Sequence, residues 1–428
     1  MGIKKAFYLF FTRVPFPIGV LFSALFIFLL SPAHGQNLSE RPDDFVLRLA
    51  VVSPGSEIYM WWGHIALIVE DTRFNNSRLF NWGMFTYSGD SFVMDFLNGK
   101  VQYMCYSSFI DVEEFLGEGW NISVYNLDLD RRAKQAILSY AENSTLPENR
   151  YYDYGEFSDN CSTRIRDIID MGTGGQFRAA IDGENGQYTL RQHIRRFTWS
   201  KPVADWVLNL AMGQNFDRII NPWEEMFLPV EIVRRITGFA YTDESGAESS
   251  LVGSVLVFNS SGKNVGVPDK APSAWPFSLL VGVVCAALLF FIDALCKKNR
   301  RLGKILMCIS QCLLGLCLGL LGCVLFVGIF YMKNNLIKQN INILFVNPLL
   351  LVIVPLGIMS ATNCKAQKNA DRVLRWIWTC VFIAGGITML KFLPVFYQQN
   401  QGALALILPV AFVLSVIPEK ISNKIFNA

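Results

Sequence analysis

Asp159-Asn160-Cys161-Ser162-Thr163-Arg164 is the stretch around which we expect the fold to be organised, together with Trp61-Trp62-Gly63-His64 roughly a hundred residues earlier. These stretches hold one of three histidines and one of the two cysteines that lie outside the hydrophobic segments. A cysteine nucleophile needs a base within hydrogen-bond reach to form its thiolate. The pattern therefore predicts a tertiary structure that places His64 beside Cys161, as base and nucleophile.

Cys161 is predicted to lie in the first turn of a helix. The three residues before it, 158–160, are all good N-cap types. An apolar stripe and an outward charged face follow at helical spacing: Ile165, Ile168 and Ile169, against Arg164, Arg166 and Asp167. The N-terminus of a helix stabilises a thiolate, and its N–H groups offer part of an oxyanion hole. Asn160 and Ser162 are therefore supporting candidates.

Cys161 also has two structural interpretations. Cys105 is the other cysteine of the region before the hydrophobic segments, so a disulfide between the two is an alternative in an exported domain. A simple buried thiol is another. Against the disulfide, Cys105 lies in the apolar run Tyr103-Met104-Cys105-Tyr106, where an inert thiol is equally natural.

His64, too, has a structural alternative, a buried core histidine between Trp62 and Ile65. Gly63 beside it permits close backbone approach. A base usually needs an orienting partner, and Asn81 on the next predicted strand is our candidate. His193 is the reserve base, although its surroundings predict a solvated helix position.

Two further residues are candidates for substrate contact. Arg164 carries a charge suited to a phosphate or carboxylate, although a helix-surface charge is the commoner explanation. Trp62 belongs to an aromatic cluster that suits an acyl pocket and that core packing explains as well. The cluster comprises Trp61, Trp62, Trp82, Phe85 and Tyr87.

Composition indicates an exported domain followed by membrane segments. Charged residues make up only 17% of the 428 residues, against about 25% in soluble domains. The net charge of +3 gives no reason to expect nucleic acid, and no metal or other cofactor is expected. A basic start, the apolar run 14–30 and small residues near 35 predict a signal peptide over 1–35, with an uncleaved anchor helix as the alternative.

The remaining chain divides into three predicted parts. Residues 36–242 form an exported Cys/His domain, 243–273 a Ser/Gly/Asn-rich linker, and 274–428 a transmembrane domain of about five helices. The candidate spans are 274–296, 305–332, 343–361, 373–395 and 402–418. Basic residues concentrate in the loops after the first and third spans, which the positive-inside rule assigns to the cytoplasm. The Cys/His domain then lies outside the cytoplasm.

Periodicity in the first part predicts an α+β fold. Runs of β-branched and aromatic residues predict strands over 45–52, 64–70, 78–85 and 120–127. Residues 131–143 have helical spacing with Ala133, Ile137, Leu138 and Ala141 on one face, and 172–241 look helical.

Four motifs in this order resemble a known family: Trp62-Gly63-His64, Asn81-Trp82-Gly83-Met84-Phe85, Asn149-Arg150-Tyr151-Tyr152-Asp153-Tyr154, and Asp159 to Asp167. They are similar to the Lnb N-terminal periplasmic domain of Bacteroidetes membrane proteins, the lipoprotein N-acyltransferases. The resemblance implies a papain-like fold, NlpC/P60-like in permuted order, followed by an all-α transmembrane bundle. It also implies that Cys161 accepts the acyl chain and that His64 is its base.

The implied activity transfers an acyl chain, from phospholipid, through a Cys161 thioester to the N-terminal amine of diacylglyceryl-cysteine lipoproteins. The expected partners are thus a lipoprotein acceptor, a phospholipid donor and the membrane. Two alternatives remain open at the level of sequence. One is a membrane-tethered hydrolase with the same dyad, either a cell-wall amidase or endopeptidase or a lipid esterase. The other is a non-catalytic exported binding module.

Overall fold

The computed structural model describes residues 41–74, 76–85, 95, 98, 102–110, 121–259, 266–332, 335–362 and 367–424. The predicted signal peptide, 1–35, lies outside the described residues. The described parts divide into two compact units. The first is drawn from Met1–Gly89, Lys100–Asn185 and Asn221–Gly266, and the second from Asp90–Gly99, Gly186–Ile220 and Val267–Ala428.

A seven-stranded antiparallel sheet forms the frame of the first unit. Its strands lie in the order β6-β4-β3-β2-β1-β5-β9. In chain order their bounds are β1 Phe45–Val52, β2 His64–Asp71, β3 Asn76–Phe85, β4 Gln102–Ile110, β5 Asn121–Leu127, β6 Tyr151–Asp153 and β9 Val252–Asn259. A separate hairpin consists of β7 Ala240–Thr242 and β8 Glu248–Ser250. The predicted α+β class and its four strands are confirmed.

Helices cover one face of this sheet. They are α1 Arg131–Asn143, α2 Cys161–Gly172, α3 Gln176–Ile181, and, after a segment of the second unit, α6 Pro222–Glu225 and α7 Pro229–Ile236. The predicted stripes of α1 and α2 are buried against β1, β2 and β3, in one core cluster. Alternate strand residues such as Leu47, Leu49 and Leu67 face this cluster because successive side chains point to opposite sides of a sheet.

Residues 243–273, predicted as a linker, contain regular structure. β8 and β9 lie within this range, and β9 pairs along its length with β5 at one end of the sheet. The Ser and Gly content of this range suggested a tether. However, the continuous apolar run Val255-Leu256-Val257 supplies the β-branched and apolar residues that favour a strand.

The second unit is helical. It comprises α4 Leu190–Thr198, α5 Pro202–Ala211, α8 Trp275–Lys298, α9 Arg300–Phe330, α10 Asn335–Lys338, α11 Ile353–Ala361, α12 Gln367–Ile387 and α13 Gln401–Lys424. A buried polar network holds α4 and α5 to the loops between the later helices. Arg191 pairs with Asp217, and the Asn340 and Asn342 side chains donate to carbonyls at the end of α5. Those carbonyls have no partner within their own helix, so the asparagines satisfy them.

Among the described residues, two helices are long and apolar enough to cross a membrane, Trp275–Cys296 and Arg300–Phe330. The pair Leu336–Leu344 and Pro348–Ala361, bent by 40°, becomes a third if it forms one broken span. A shorter apolar helix, Gln401–Val416, covers most of the fifth predicted span. The chain thus has the helices of a membrane protein, and the arrangement of five spans remains a prediction.

Candidate functional site

The stretches 61–64 and 159–164 meet in the first unit. His64 is the first residue of β2, opposite Val52 at the end of β1, and Cys161 is the first residue of α2. Gly63 turns the chain into β2 with φ +77°, and a Cβ atom there would lie 2.7 Å from the carbonyl oxygen of Val52. Only glycine fits both constraints, so this close approach sets the position of His64.

Asn81 contacts the histidine directly. The His64 Nε2 atom lies 2.8 Å from Asn81 Oδ1, across the β2–β3 pair. Because Nε2 is held by the amide, Nδ1 is the ring nitrogen that remains for Cys161, with which His64 is hydrogen-bonded. The structure therefore brings Cys161, His64 and Asn81 together in a nucleophile, base and orienting-group arrangement.

Electrostatics favour the charged form of this pair. Burial opposes charge on both groups, but the mutual attraction of thiolate and imidazolium and their hydrogen bond outweigh it. The pKa of Cys161 is consequently lowered and that of His64 raised. The backbone N–H of Ile65 also donates to the sulfur and helps to lower the thiol pKa. The site therefore favours an imidazolium–thiolate pair.

Asn160 caps the helix that starts at Cys161. Its Oδ1 accepts from the N–H groups of Ser162 and Thr163, both at 2.9 Å, while the Thr163 hydroxyl accepts from its backbone N–H. Its Nδ2 donates to the carbonyls of Glu156 and Phe227. The asparagine thus fixes the nucleophile's helix to two other segments of the unit.

This capping limits the predicted oxyanion hole. The N–H groups of residues 162 and 163 are already bonded to Asn160, so they are not available to an acyl intermediate. The N–H of Cys161 has no partner among the described residues and remains a donor for that role. Ser162 is fully buried, with its Oγ 3.9 Å from the Cys161 sulfur, so it supports the thiolate rather than facing substrate.

Gly83 forms the wall of the site on the β3 side. The pairing of β3 with β4 shifts register between Trp82 and Met84, which makes Gly83 a bulge residue. Its φ is +104°, and a Cβ atom there would lie 3.6 Å from Cys161 Cβ and 3.7 Å from His64 Cε1. The absence of a side chain keeps space open beside both members of the dyad.

Three tyrosines lie within the electrostatic range of the thiolate. Burial raises the pKa of Tyr103, Tyr152 and Tyr154, and the negative charge of Cys161 raises each further. The Tyr103 and Tyr154 rings stack with centroids 3.8 Å apart, and the buried Tyr152 hydroxyl has no hydrogen-bond partner among the described residues. The tyrosines are therefore neutral phenols, which are hydrogen-bond donors, in the field of the thiolate.

The two predicted substrate-contact residues differ. Arg164 is engaged within the protein, by Asp159, by the Tyr140 hydroxyl at 3.2 Å and by the Tyr152 ring. Trp62 is half-buried beside Trp61, with ring centroids 5.8 Å apart, and its buried Nε1 has no partner among the described residues. Of the two residues, it is Trp62 whose hydrogen-bond donor, the indole N–H, is available to a substrate.

Two expectations about charged side chains need correction. Arg166 does not point outward, because its guanidinium stacks on Trp223 and donates to that residue's carbonyl while the side chain is buried. Nor is His193 solvated. It is fully buried in the second unit, with its Nδ1 3.3 Å from Arg196 and its ring edge-on to Tyr188.

The disulfide alternative does not hold, because Cys105 and Cys161 are separate free thiols. Cys105 lies in β4 opposite Trp82, and burial raises its pKa to about 12. At neutral pH it is an inert thiol, whereas Cys161 has the lowered pKa.

Sequence reasoning assigned no role to Gly83 or to the tyrosines. Two of the motifs that carried the family resemblance contain Gly83, Tyr152 and Tyr154. Their place in these family motifs was the sequence signal that pointed to a role in the site. Tyr103 had none, because only the β4–β6 pairing brings it beside Tyr152.

Comparison with known proteins supports the family resemblance. Residues 39–196 match the family described as the Lnb N-terminal periplasmic domain. Comparisons with curated proteins and with solved structures found no match. The matched segment contains the four motifs and the whole dyad. The chain therefore carries an Lnb N-terminal periplasmic domain over residues 39–196.

Proposed function

We propose that this protein is a lipoprotein N-acyltransferase of the bacterial inner membrane, with Cys161 as nucleophile. The observation that carries the proposal is the Cys161–His64–Asn81 arrangement at a helix N-terminus, in a chain that also has membrane-length helices. We also propose the papain-like, permuted NlpC/P60-like interpretation of the sheet and α2, a cleaved signal peptide over 1–35, and a five-span topology with the dyad on the periplasmic side.

The first half-reaction forms a thioester. The Cys161 thiolate attacks the carbonyl carbon of a phospholipid ester, and the tetrahedral oxyanion accepts a hydrogen bond from the Cys161 N–H. The ester C–O bond then breaks, and the His64 imidazolium gives its proton to the departing alkoxide. The products are lysophospholipid, acyl-Cys161 and neutral His64.

The second half-reaction forms an amide. The α-amine of a diacylglyceryl-cysteine lipoprotein attacks the thioester carbonyl, and neutral His64 accepts the amine proton. Collapse breaks the C–S bond and restores the thiolate–imidazolium pair. Asn81 holds the ring in position through both steps, because its bond is to Nε2 and leaves Nδ1 facing the sulfur.

Mass spectrometry of lipoprotein N-terminal peptides tests the proposal. The cells carry, as their only copy, the wild type, Cys161→Ala or Cys105→Ala. Cys105 is the matched control, since it is a buried thiol of the same unit whose raised pKa makes it inert. We expect N-acylation to be lost in Cys161→Ala and kept in Cys105→Ala, with both variants present in the membrane. Equal acylation in all three cells would refute the assignment.

A second assay separates transfer from hydrolysis. Full-length protein in nanodiscs receives phospholipid with a labelled acyl chain and a diacylated lipopeptide. Label on the lipopeptide amine supports the transferase. Labelled free fatty acid, with an unmodified lipopeptide, would instead identify a lipid esterase.

A further inference from the structure

The connection between β1 and β2 has an apolar tip next to the dyad. It leaves the sheet after Val52 and returns at His64, the two residues that face each other at the end of the β1–β2 pair. At its outer end lies a short helical turn, Ile58–Met60. Ile58 is 66% exposed and Tyr59 51% exposed. Single exposed apolar residues are common, so exposure alone decides nothing.

The tip's internal hydrogen bonds set it apart. The N–H groups of Gly55 and Gly63 both donate to the Met60 carbonyl, and the Trp61 Nε1 donates to the Ser56 carbonyl at 3.0 Å. These bonds satisfy polar groups that would otherwise need water. Moving such groups from water into an apolar layer costs little once they are bonded, and several kcal/mol each when they are not.

The composition of the tip suits the boundary between lipid tails and headgroups. Isoleucine favours the apolar layer, and tyrosine and tryptophan concentrate at membrane interfaces. The one charged residue, Glu57, precedes the helical turn and is bonded by the Ser56 hydroxyl. A carboxylate there limits insertion to the side chains beyond it. The same chain has membrane-length helices, so it also carries the means of attachment to a bilayer.

We propose that the β1–β2 tip, residues 56–61, inserts its side chains beyond Glu57 into the surface of the lipid bilayer and holds the dyad at the depth of the phospholipid ester bonds. This rests on the proposed function for its purpose, but the insertion itself does not depend on it. Three residues separate Met60 from His64, and the Gly63 N–H, next to His64, donates to the Met60 carbonyl, so the depth of the tip fixes that of the base.

The insertion is tested with the full-length protein. A genetically encoded environment-sensitive fluorescent amino acid replaces Ile58, or Phe74 as the matched control, in nanodiscs of equimolar phosphatidylethanolamine and phosphatidylglycerol. Phe74 is 67% exposed but lies beyond the other end of β2, roughly 25 Å along the strand at about 3.3 Å per residue. We expect brominated lipid tails to quench the probe at 58 and not at 74. Equal quenching at both positions, or none at 58, would overturn the proposal.

Ile58→Asp gives a second readout. We expect turnover of bilayer phospholipid to fall about tenfold, equivalent to about 1.4 kcal/mol, which lies below the value for burying a whole isoleucine side chain. Acylation of Cys161 by a short water-soluble ester should be unchanged, and Phe74→Asp should leave both rates unchanged. Loss of both rates would show that the tip only supports the dyad. If the protein proves to be a hydrolase, the quenching result still stands or fails by itself.

Discussion

Replacing Gly83 with alanine tests whether the open space beside the dyad is used. The φ of +104° is unfavourable for any residue with a Cβ atom and costs about 1–3 kcal/mol. For a domain of this size that corresponds to roughly 2–10 °C in the unfolding midpoint. The new methyl group would lie in ordinary van der Waals contact with Cys161 and His64, at 3.6 and 3.7 Å. The dyad should therefore stay assembled while the space beside it is lost.

Gly183→Ala is the matched control for the backbone strain. Gly183 has φ +91°, and nothing would lie within 4 Å of its Cβ atom. We expect both variants to lose similar stability in thermal unfolding of the full-length protein. Only Gly83→Ala should lose turnover of the acyl donor, by about a hundredfold, the typical cost of misplacing a substrate by about 1 Å. Alkylation of Cys161 by iodoacetamide should keep its pH dependence in both.

Turnover of the acyl donor by Gly83→Ala as fast as by Gly183→Ala would show that the space beside the thiol is irrelevant to substrate. A shift of Cys161 alkylation to higher pH in Gly83→Ala would show that the methyl group has separated the dyad.

Two further variants test the charge state of the thiol and the start of its helix. His64→Ala should move the midpoint of Cys161 alkylation to higher pH, beyond that of an ordinary thiol, because burial remains and the opposing imidazolium is gone. Cys105 in the same digest should stay unmodified near neutral pH. An unchanged midpoint for Cys161 would show that His64 does not set the pKa of this thiol. Asn160→Ala should lower the free energy of unfolding by about 2 kcal/mol or more, through two lost cap bonds and the buried Phe227 carbonyl left without its donor. The exposed cap variant Asn221→Ala should cost about 1 kcal/mol. Equal losses in thermal unfolding would contradict a special role for Asn160.

The sequence by itself determined the local elements of the first unit. The apolar, β-branched run 45–52 and the helical spacing of 131–143 predicted β1 and α1 with the bounds that the structure has. The N-cap residues before Cys161 placed the start of α2 correctly. These signals are local, because periodicity and capping depend on residues within one or two turns.

Only the tertiary structure decided what surrounds the two key residues. The distance between His64 and Asn81 depends on the register of β2 and β3, and the opening at Gly83 depends on a bulge. Spacing along the chain contains neither. The burial of Arg166 and His193 could not be predicted from the sequence either. Charged and polar side chains are mostly exposed, so they are assigned to the surface unless the group that covers them is known. The amino-acid sequence thus supplies the groups that can react, and tertiary packing decides which of them meet.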